Sequence, residues 1–155
     1  MSTRKTRQKA DNNLRPEIRS HNRVGMWWTT IETGLVTQGV PDLNYIADGG
    51  IEGWVECKAT DGWAVKFQPM QVGWHERRYR MGGRTWIAIR RQSRGGPRSG
   101  PAVDELYMVP GAFVIELRDE GVNCGRARFL GAGGPGAWDW DEFRRLALGR
   151  IVRRG

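Results

Sequence analysis

The sequence predicts an α/β protein in which a mixed central β-sheet is flanked by helices. Short stretches rich in β-branched and aromatic residues, which favour strands, alternate with stretches whose apolar residues have helical spacing. Their order is helix, three strands, helix, strand, and then further strands and helices, which is typical of a sheet covered by helices. The length of 155 residues suits one domain with its own core.

The N-terminal half supplies the first helix and a meander of three strands. Residues 1–13 are polar and basic, so we expect a flexible arm there. Pro16 suits the first turn of a helix that reaches about Val24. A Gly-rich turn at 47–50 indicates that the second and third strands form an antiparallel hairpin. The three predicted strands are 27–33, 42–47 and 52–59.

The remaining elements complete the sheet and its helical cover. Apolar residues from Pro69 onward have helical spacing, and two glycines at 82–83 end that helix. Asp139 is placed to cap a last helix, with Glu142 three residues later as in a capping box. We expect further strands at 84–91, 105–109 and 126–131, an exposed loop at 92–102, and a short helix from 110 to about 119. The domain is therefore 14–155, with a core at about 16–91 and a β/α extension at 102–155.

Clustered positive charge predicts a polyanionic partner, most often nucleic acid. The formal net charge is +8 and the isoelectric point is about 10.3. Residues 1–23 carry seven Lys or Arg against two acidic residues, and residues 76–98 carry eight Arg against one. Arg grips phosphate with two parallel hydrogen bonds; the alternative is a solvated basic face that only aids solubility. The candidate phosphate contacts are Arg15, Arg19, Arg23, Lys66, Arg77, Arg78 and Arg84.

Composition argues against several classes of protein. No apolar run reaches the roughly 18 residues needed to cross a bilayer, so no membrane segment is expected. The basic N-terminus lacks the apolar stretch of a secretory signal. Cys57 and Cys124 are too few for a disulfide framework or a four-cysteine zinc site, although a single bridge stays open. These features favour a reducing, cytoplasmic location.

Two acidic residues and a lysine are spaced so that neighbouring strands bring them together. Side chains alternate along a strand, so Glu56 and Lys58 project from one face of the third strand. Asp42 starts the preceding strand directly after Pro41, and the hairpin puts it beside Glu56. Two carboxylates supply the hard oxygen ligands that Mg²⁺ prefers, and the backbone carbonyl of Cys57 can add another. Such a metal would activate a water for attack on phosphate, with Lys58 positioning the water or offsetting charge.

An isolated Glu-x-Lys on a strand is common, but here it occurs with further matching segments. These are GVPDL at 39–43, GWVECK at 53–58, Gln71 early in the next helix, and GGRTWI at 82–87. Over about 17–91 the sequence resembles the PD-(D/E)xK nuclease superfamily, in particular the VRR-NUC (virus-type replication-repair nuclease) group and archaeal and phage Holliday-junction resolvases. The resemblance implies a restriction-endonuclease-like core, phosphodiester cleavage with Mg²⁺ or Mn²⁺, and a homodimer, which is typical of junction-cleaving members.

The resemblance also implies roles for individual residues. Asp42 and Glu56 would be metal ligands, Lys58 the catalytic lysine, and Gln71 a residue that orients the site. The family carries a further acid on its first helix, for which Glu17 and Glu32 are the candidates. Glu17 has the alternative role of a carboxylate at a helix N-terminus, and Glu32 that of a strand-end partner for an Arg.

We therefore expect a Mg²⁺-dependent endonuclease that recognises DNA shape, such as a four-way junction or a flap. Arg residues are plentiful for phosphate contacts, whereas no recognition helix or zinc finger is evident in the sequence. The alternatives are a restriction-like or DNA-end-processing enzyme of the same superfamily and a non-catalytic nucleic-acid-binding protein. Trp63, in a Gly-flanked loop after Lys58, is interpreted either as a base-stacking residue or as a packing or dimer contact. A phage origin would place the protein in the cytoplasm of the host.

Overall fold

A computed structural model describes residues 11–32, 39–151 and 154. Within these residues, one six-stranded mixed sheet with the strand order β1-β2-β3-β4-β5-β6 is flanked by four α-helices. The helices are α1 (Leu14–His21), α2 (Pro69–Arg80), α3 (Val114–Glu120) and α4 (Trp140–Leu148). The strands are β1 (Met26–Thr30), β2 (Leu43–Ala47), β3 (Ile51–Thr60), β4 (Thr85–Ser93), β5 (Val103–Pro110) and β6 (Arg128–Phe129). The predicted α/β class with a mixed sheet is confirmed.

Strand pairing lines up residues from four neighbouring strands in one row. Helix α2 crosses over between β3 and β4, which makes this pair parallel, whereas the other neighbouring strands are antiparallel. The register pairs Lys58 with Ile89, Ile89 with Tyr107, and Tyr107 with Phe129. Because register partners project from the same side of a sheet, this row lies on one face.

Apolar clusters cover the two faces of the sheet. One cluster joins α1 and α4 to the strands and includes Leu14, Ile18, Tyr45, Val55, Met108 and Phe143. The other joins α2 and α3 to the strands and includes Val72, Ile87, Ile89, Val109, Val114 and Leu117. Glu56 is the register partner of Ile87, so the predicted acidic site faces the side of α2 and α3.

The first helix is shifted towards the N-terminus of the chain. It covers Leu14–His21 rather than running from Pro16 to Val24, and Pro16 still lies in the first turn, where an amide hydrogen would have no helical partner. Asp11 is 4% exposed, and Arg90 Nη1 donates to the carbonyl of Asn12 at 2.7 Å. The last three residues of the predicted 1–13 arm are therefore anchored, and residues 1–10 lie outside those that the structure describes.

The later elements follow the predicted order with shifted ends. Asp139 Oδ1 accepts a hydrogen bond from the amide of Glu142 at 2.9 Å, which confirms the predicted N-cap of the last helix. A 3₁₀ turn at Gly111–Phe113 precedes α3, and β6 is only two residues long. The first strand was predicted at 27–33 and is observed at Met26–Thr30. Residue 33 is outside the described ranges. Over those ranges, no helix is long and apolar enough to span a membrane.

Candidate active site

The β2–β3 hairpin positions the two predicted acidic ligands. Leu43, the first residue of β2, pairs with Val55 in antiparallel register, and Asp42 directly precedes it. The backbone amide of Cys57 donates to Asp42 Oδ2 at 2.9 Å, which fixes the Asp42 carboxylate against β3. Asp42 therefore lies against β3 at the residue that follows Glu56.

The first turn of α2 completes the site. Gln71 Nε2 donates to Glu56 Oε1 at 2.8 Å, and Gln71 Oε1 accepts from Lys58 Nζ at 2.8 Å. Lys58 Nζ also lies 3.5 Å from Glu56 Oε1. Glu56 is 3% exposed, so this network holds a buried carboxylate beside a lysine ammonium. The structure thus brings together Asp42, Glu56, Lys58 and Gln71.

Gln71 has a second function in the local structure. It occupies the third helical position of α2, and its Oε1 also accepts from the backbone amide of Gln68, the N-cap residue, at 3.0 Å. This reciprocal capping box fixes the start of the helix. The residue that caps α2 is therefore also the one that contacts Glu56 and Lys58, which explains how an early helical Gln comes to point into the sheet.

An ion pair that the sequence did not predict adjoins Asp42. Arg15 Nε donates to Asp11 Oδ2 at 2.6 Å, and Arg15 Nη1 lies 4.0 Å from Asp42 Oδ1. Burial acts to lower the pKa of Arg15, but the carboxylates of Asp11 and Asp42 outweigh it and leave the pKa raised. Arg15, a candidate phosphate contact, therefore bridges two carboxylates. The only sequence signal for Asp11 was its position just before the first helix.

Cys57 is buried at the base of this site. Burial raises the pKa of its thiol well above the ordinary value, and the carboxylates of Asp42, Asp11 and Glu56 raise it further. The thiol stays protonated, so Cys57 does not provide a thiolate nucleophile. Its backbone is the relevant part, since its amide holds Asp42.

The two candidates for a further acid lie in different surroundings. Glu17 Oε2 lies 3.4 Å from Nε2 of His21, one turn later on the same helix. Glu32 is exposed and immediately precedes the segment 33–38, which is outside the described residues. The choice between Glu17 and Glu32 stays a prediction.

The candidate phosphate contacts divide into anchored and exposed side chains. Arg84 donates to the carbonyls of Glu52 at 3.2 Å and Gly149 at 2.9 Å, so it joins β3 to the end of α4. Arg78 lies over the rings of Trp54 and Trp74, at 5.2 and 5.1 Å from their centroids. The exposed candidates are Arg19, Arg23, Lys66, Arg77 and Arg78.

The donor set can be compared with the needs of a divalent metal. Among the residues that the structure describes, no group of three or more His, Cys, Asp or Glu side chains is gathered as a metal site. Asp42, held by the Cys57 amide, and Glu56, the residue before Cys57, nevertheless offer two hard carboxylates at neighbouring positions. This set fits Mg²⁺, which binds through one or two carboxylates and keeps several of its waters.

A comparison with protein-family models finds no match for this chain, and a comparison with curated proteins finds none either. Functional inference therefore rests on the geometry and chemistry of the site.

Proposed function

We propose that the protein is a Mg²⁺-dependent endonuclease of the PD-(D/E)xK type that hydrolyses phosphodiester bonds in DNA. One observation carries this proposal: Gln71 links Glu56 to Lys58, and the amide of Cys57, which lies between them in the chain, binds the Asp42 carboxylate. Two acids and a lysine on adjacent strands are the groups that metal-assisted phosphodiester hydrolysis requires.

The two acids are the proposed metal ligands. Asp42 and Glu56, with the backbone carbonyl of Cys57, would hold Mg²⁺ or Mn²⁺. When bound, the ion would polarise the scissile phosphate and lower the pKa of a water ligand. The Cys57 amide and Gln71 Nε2 hold the carboxylates in place before substrate arrives. Pre-positioned ligands reduce the reorganisation required during the reaction.

Lys58 is proposed as the group that stabilises charge at the phosphate. Its ammonium donates to Gln71 and lies 4.7 Å from the centroid of the Phe67 ring, so the apolar ring and the amide both restrict its position. A restrained cation on the face of the acids can orient a water or offset negative charge on the phosphate. No covalent nucleophile is needed, in agreement with the protonated Cys57 thiol.

The proposed substrate is DNA, recognised mainly through its backbone. The net charge of +8 and exposed basic side chains such as Arg23 and Arg77 favour contacts with phosphates. Symmetric cleavage of a four-way junction would use a homodimer. Sedimentation of the protein at moderate salt tests for the homodimer. A monomer of 17.6 kDa would contradict it.

The test compares junction, flap and linear duplex DNA side by side in Mg²⁺, in Mn²⁺ and in EDTA. The proposal expects cleavage that requires the metal and is fastest on a branched substrate. Preferential cutting of linear ends would favour an end-processing role. If wild-type protein cuts none of the three DNAs in either metal, the enzyme proposal fails and a binding function replaces it.

A further inference from the structure

An aromatic patch lies on the same sheet face as Lys58. We define the aromatic patch as Trp63, Tyr107 and Phe129, whose ring centroids are 6.5 Å apart for the first pair and 5.4 Å for the second. Tyr107 and Phe129 are in the row of register partners that begins with Lys58. With strands about 4.8 Å apart, Phe129 lies roughly 14 Å from Lys58 across the sheet.

The aromatic patch is open to solvent. Trp63 is 42% exposed and Phe129 is 53% exposed, whereas Trp86, Trp138 and Trp140 are at most 8% exposed. Burying a large ring stabilises a fold, so neighbouring rings left in water indicate a binding surface rather than a core.

Hydrogen bonds and an ion pair hold the aromatic patch in one arrangement. The Arg91 guanidinium lies 4.0 Å from the Trp63 ring centroid and donates to both oxygens of Glu105, at 2.8 and 3.3 Å. Tyr107 donates its hydroxyl hydrogen to Glu105 Oε2 at 2.8 Å. The carbonyl of Trp63 accepts from the amide of Val122 at 2.8 Å. Such restraint lowers the entropy lost when a flat ligand stacks on the rings.

The charges around the aromatic patch favour a nucleic-acid strand. Glu105 compensates the charge of Arg91, so the centre of the patch is close to neutral and presents π faces. Lys66, which is exposed, lies three residues after Trp63 in the chain. Arg126, also exposed, lies three residues before Phe129. Flat apolar rings with cations close by in the chain match a strand in which bases stack and phosphates pair with Lys or Arg.

We propose that the aromatic patch binds unpaired bases of a single DNA strand beside the active site. Bases inside a duplex are stacked on each other and cannot offer their faces, so the substrate would carry a single-stranded segment near the cleaved bond. A flap or splayed arm meets this requirement better than a fully paired junction. This substrate class rests on the proposed nuclease function, whereas strand binding by the patch does not.

Binding in EDTA tests the aromatic patch without any cleavage. Fluorescence anisotropy would measure the Kd for labelled oligodeoxythymidylate and for a duplex of equal length. Trp63→Ala and Phe129→Ala should each weaken single-strand binding roughly 5- to 100-fold, the usual loss for one base–aromatic stack. Duplex binding should be unchanged, and Trp63→Phe should keep most single-strand affinity. The matched control is Trp27→Ala, on the opposite edge strand, where the ring is 75% exposed.

Three results would overturn this proposal. They are unchanged single-strand binding by Trp63→Ala, an equal loss for single strand and duplex, or dissociation of a dimer by Trp63→Ala in sedimentation, which would make the patch an interface between two copies. Because EDTA prevents cleavage, the outcome is independent of nuclease activity. If the protein binds single strands through the aromatic patch but never cuts DNA, the proposed nuclease function is contradicted and the proposed strand binding is supported.

Discussion

Gln71 Nε2 donates a hydrogen bond to Glu56 Oε1 at 2.8 Å, which ties the first turn of α2 to β3. The amide oxygen of the same side chain accepts from Lys58, so one residue sets the distance between a carboxylate and an ammonium group. This relationship gives the candidate site its rigidity and makes Gln71 the most informative position to alter.

Replacing Gln71 should separate site geometry from helix capping. In Gln71→Ala, Glu56 and Lys58 lose their shared partner, so we expect cleavage to slow roughly 10- to 100-fold, as for other residues that orient ligands. Single-turnover cleavage rates would measure this change. The matched control is Gln68→Ala, which disturbs only the cap and should cost about 1 kcal/mol of stability. Equal cleavage rates in the two variants would contradict the role of Gln71.

The Asp11–Arg15 pair should be important for stability. Asp11→Asn leaves the Arg15 guanidinium largely buried with a weaker partner, so we expect a loss of about 2 to 3 kcal/mol in the free energy of unfolding. Urea denaturation would measure it. Asp119→Asn, in the exposed pair with Arg118, is the control and should cause no measurable change. If both variants are equally stable, the N-terminal turn is not an integral part of the domain.

Stability should fall in acid because His75 is buried in its neutral form. Burial, aided by the Lys58 charge, lowers the pKa of His75 to about 3. Since an unfolded His has a pKa of about 6.5, the unfolded chain binds this proton first as pH falls. The stabilisation from neutral His75 is fully present above about pH 6.5. It is lost as pH falls towards 3, by up to about 1.4 kcal/mol per pH unit.

Unfolding free energies across this pH range would show the effect. His75→Asn should have a shallower acid slope than wild type, although it is less stable at neutral pH. A wild-type slope in His75→Asn would rule out His75 as the group that titrates.

Arg84 and Arg77 should behave differently, although the sequence predicted phosphate contacts for both. Arg84→Ala removes two hydrogen bonds to carbonyls and should cost about 2 kcal/mol of stability. Arg77→Ala should leave stability unchanged and reduce the slope of log Kd against log salt by about one, as for one lost phosphate contact. Denaturation and salt titrations of DNA binding would measure the two effects. A stable Arg84→Ala with a reduced salt slope, together with an unstable Arg77→Ala, would contradict the structural role of Arg84 and the phosphate contact of Arg77.

Local patterns were sufficient to predict the fold class and which residues of the third strand share a face. Strand alternation put Glu56 and Lys58 on one face, and the hairpin turn brought Asp42 against β3, where the Cys57 amide binds it. The Asp139 cap was predictable because a cap depends on residues three positions apart.

Long-range contacts were beyond sequence reasoning. The Arg15 bridge and the Arg84 bonds depend on which distant backbone or side chain lies nearby, which no local spacing encodes. The row from Lys58 to Phe129 depends on the registers of β3 to β6, and a one-residue slip would reverse its face. From the sequence alone Trp63 therefore has two interpretations.

The most direct test of the account is single-turnover cleavage of flap DNA in Mg²⁺ by Asp42→Asn and Lys58→Ala, with DNA binding measured in EDTA. We predict that both variants bind DNA and cut at least about 100-fold more slowly than wild type, because each lacks a group needed for charge stabilisation. Asp48→Asn, in the turn of the same hairpin, is the matched control and should cut at the wild-type rate. Cleavage by Asp42→Asn and Lys58→Ala at the wild-type rate would contradict the proposed active site.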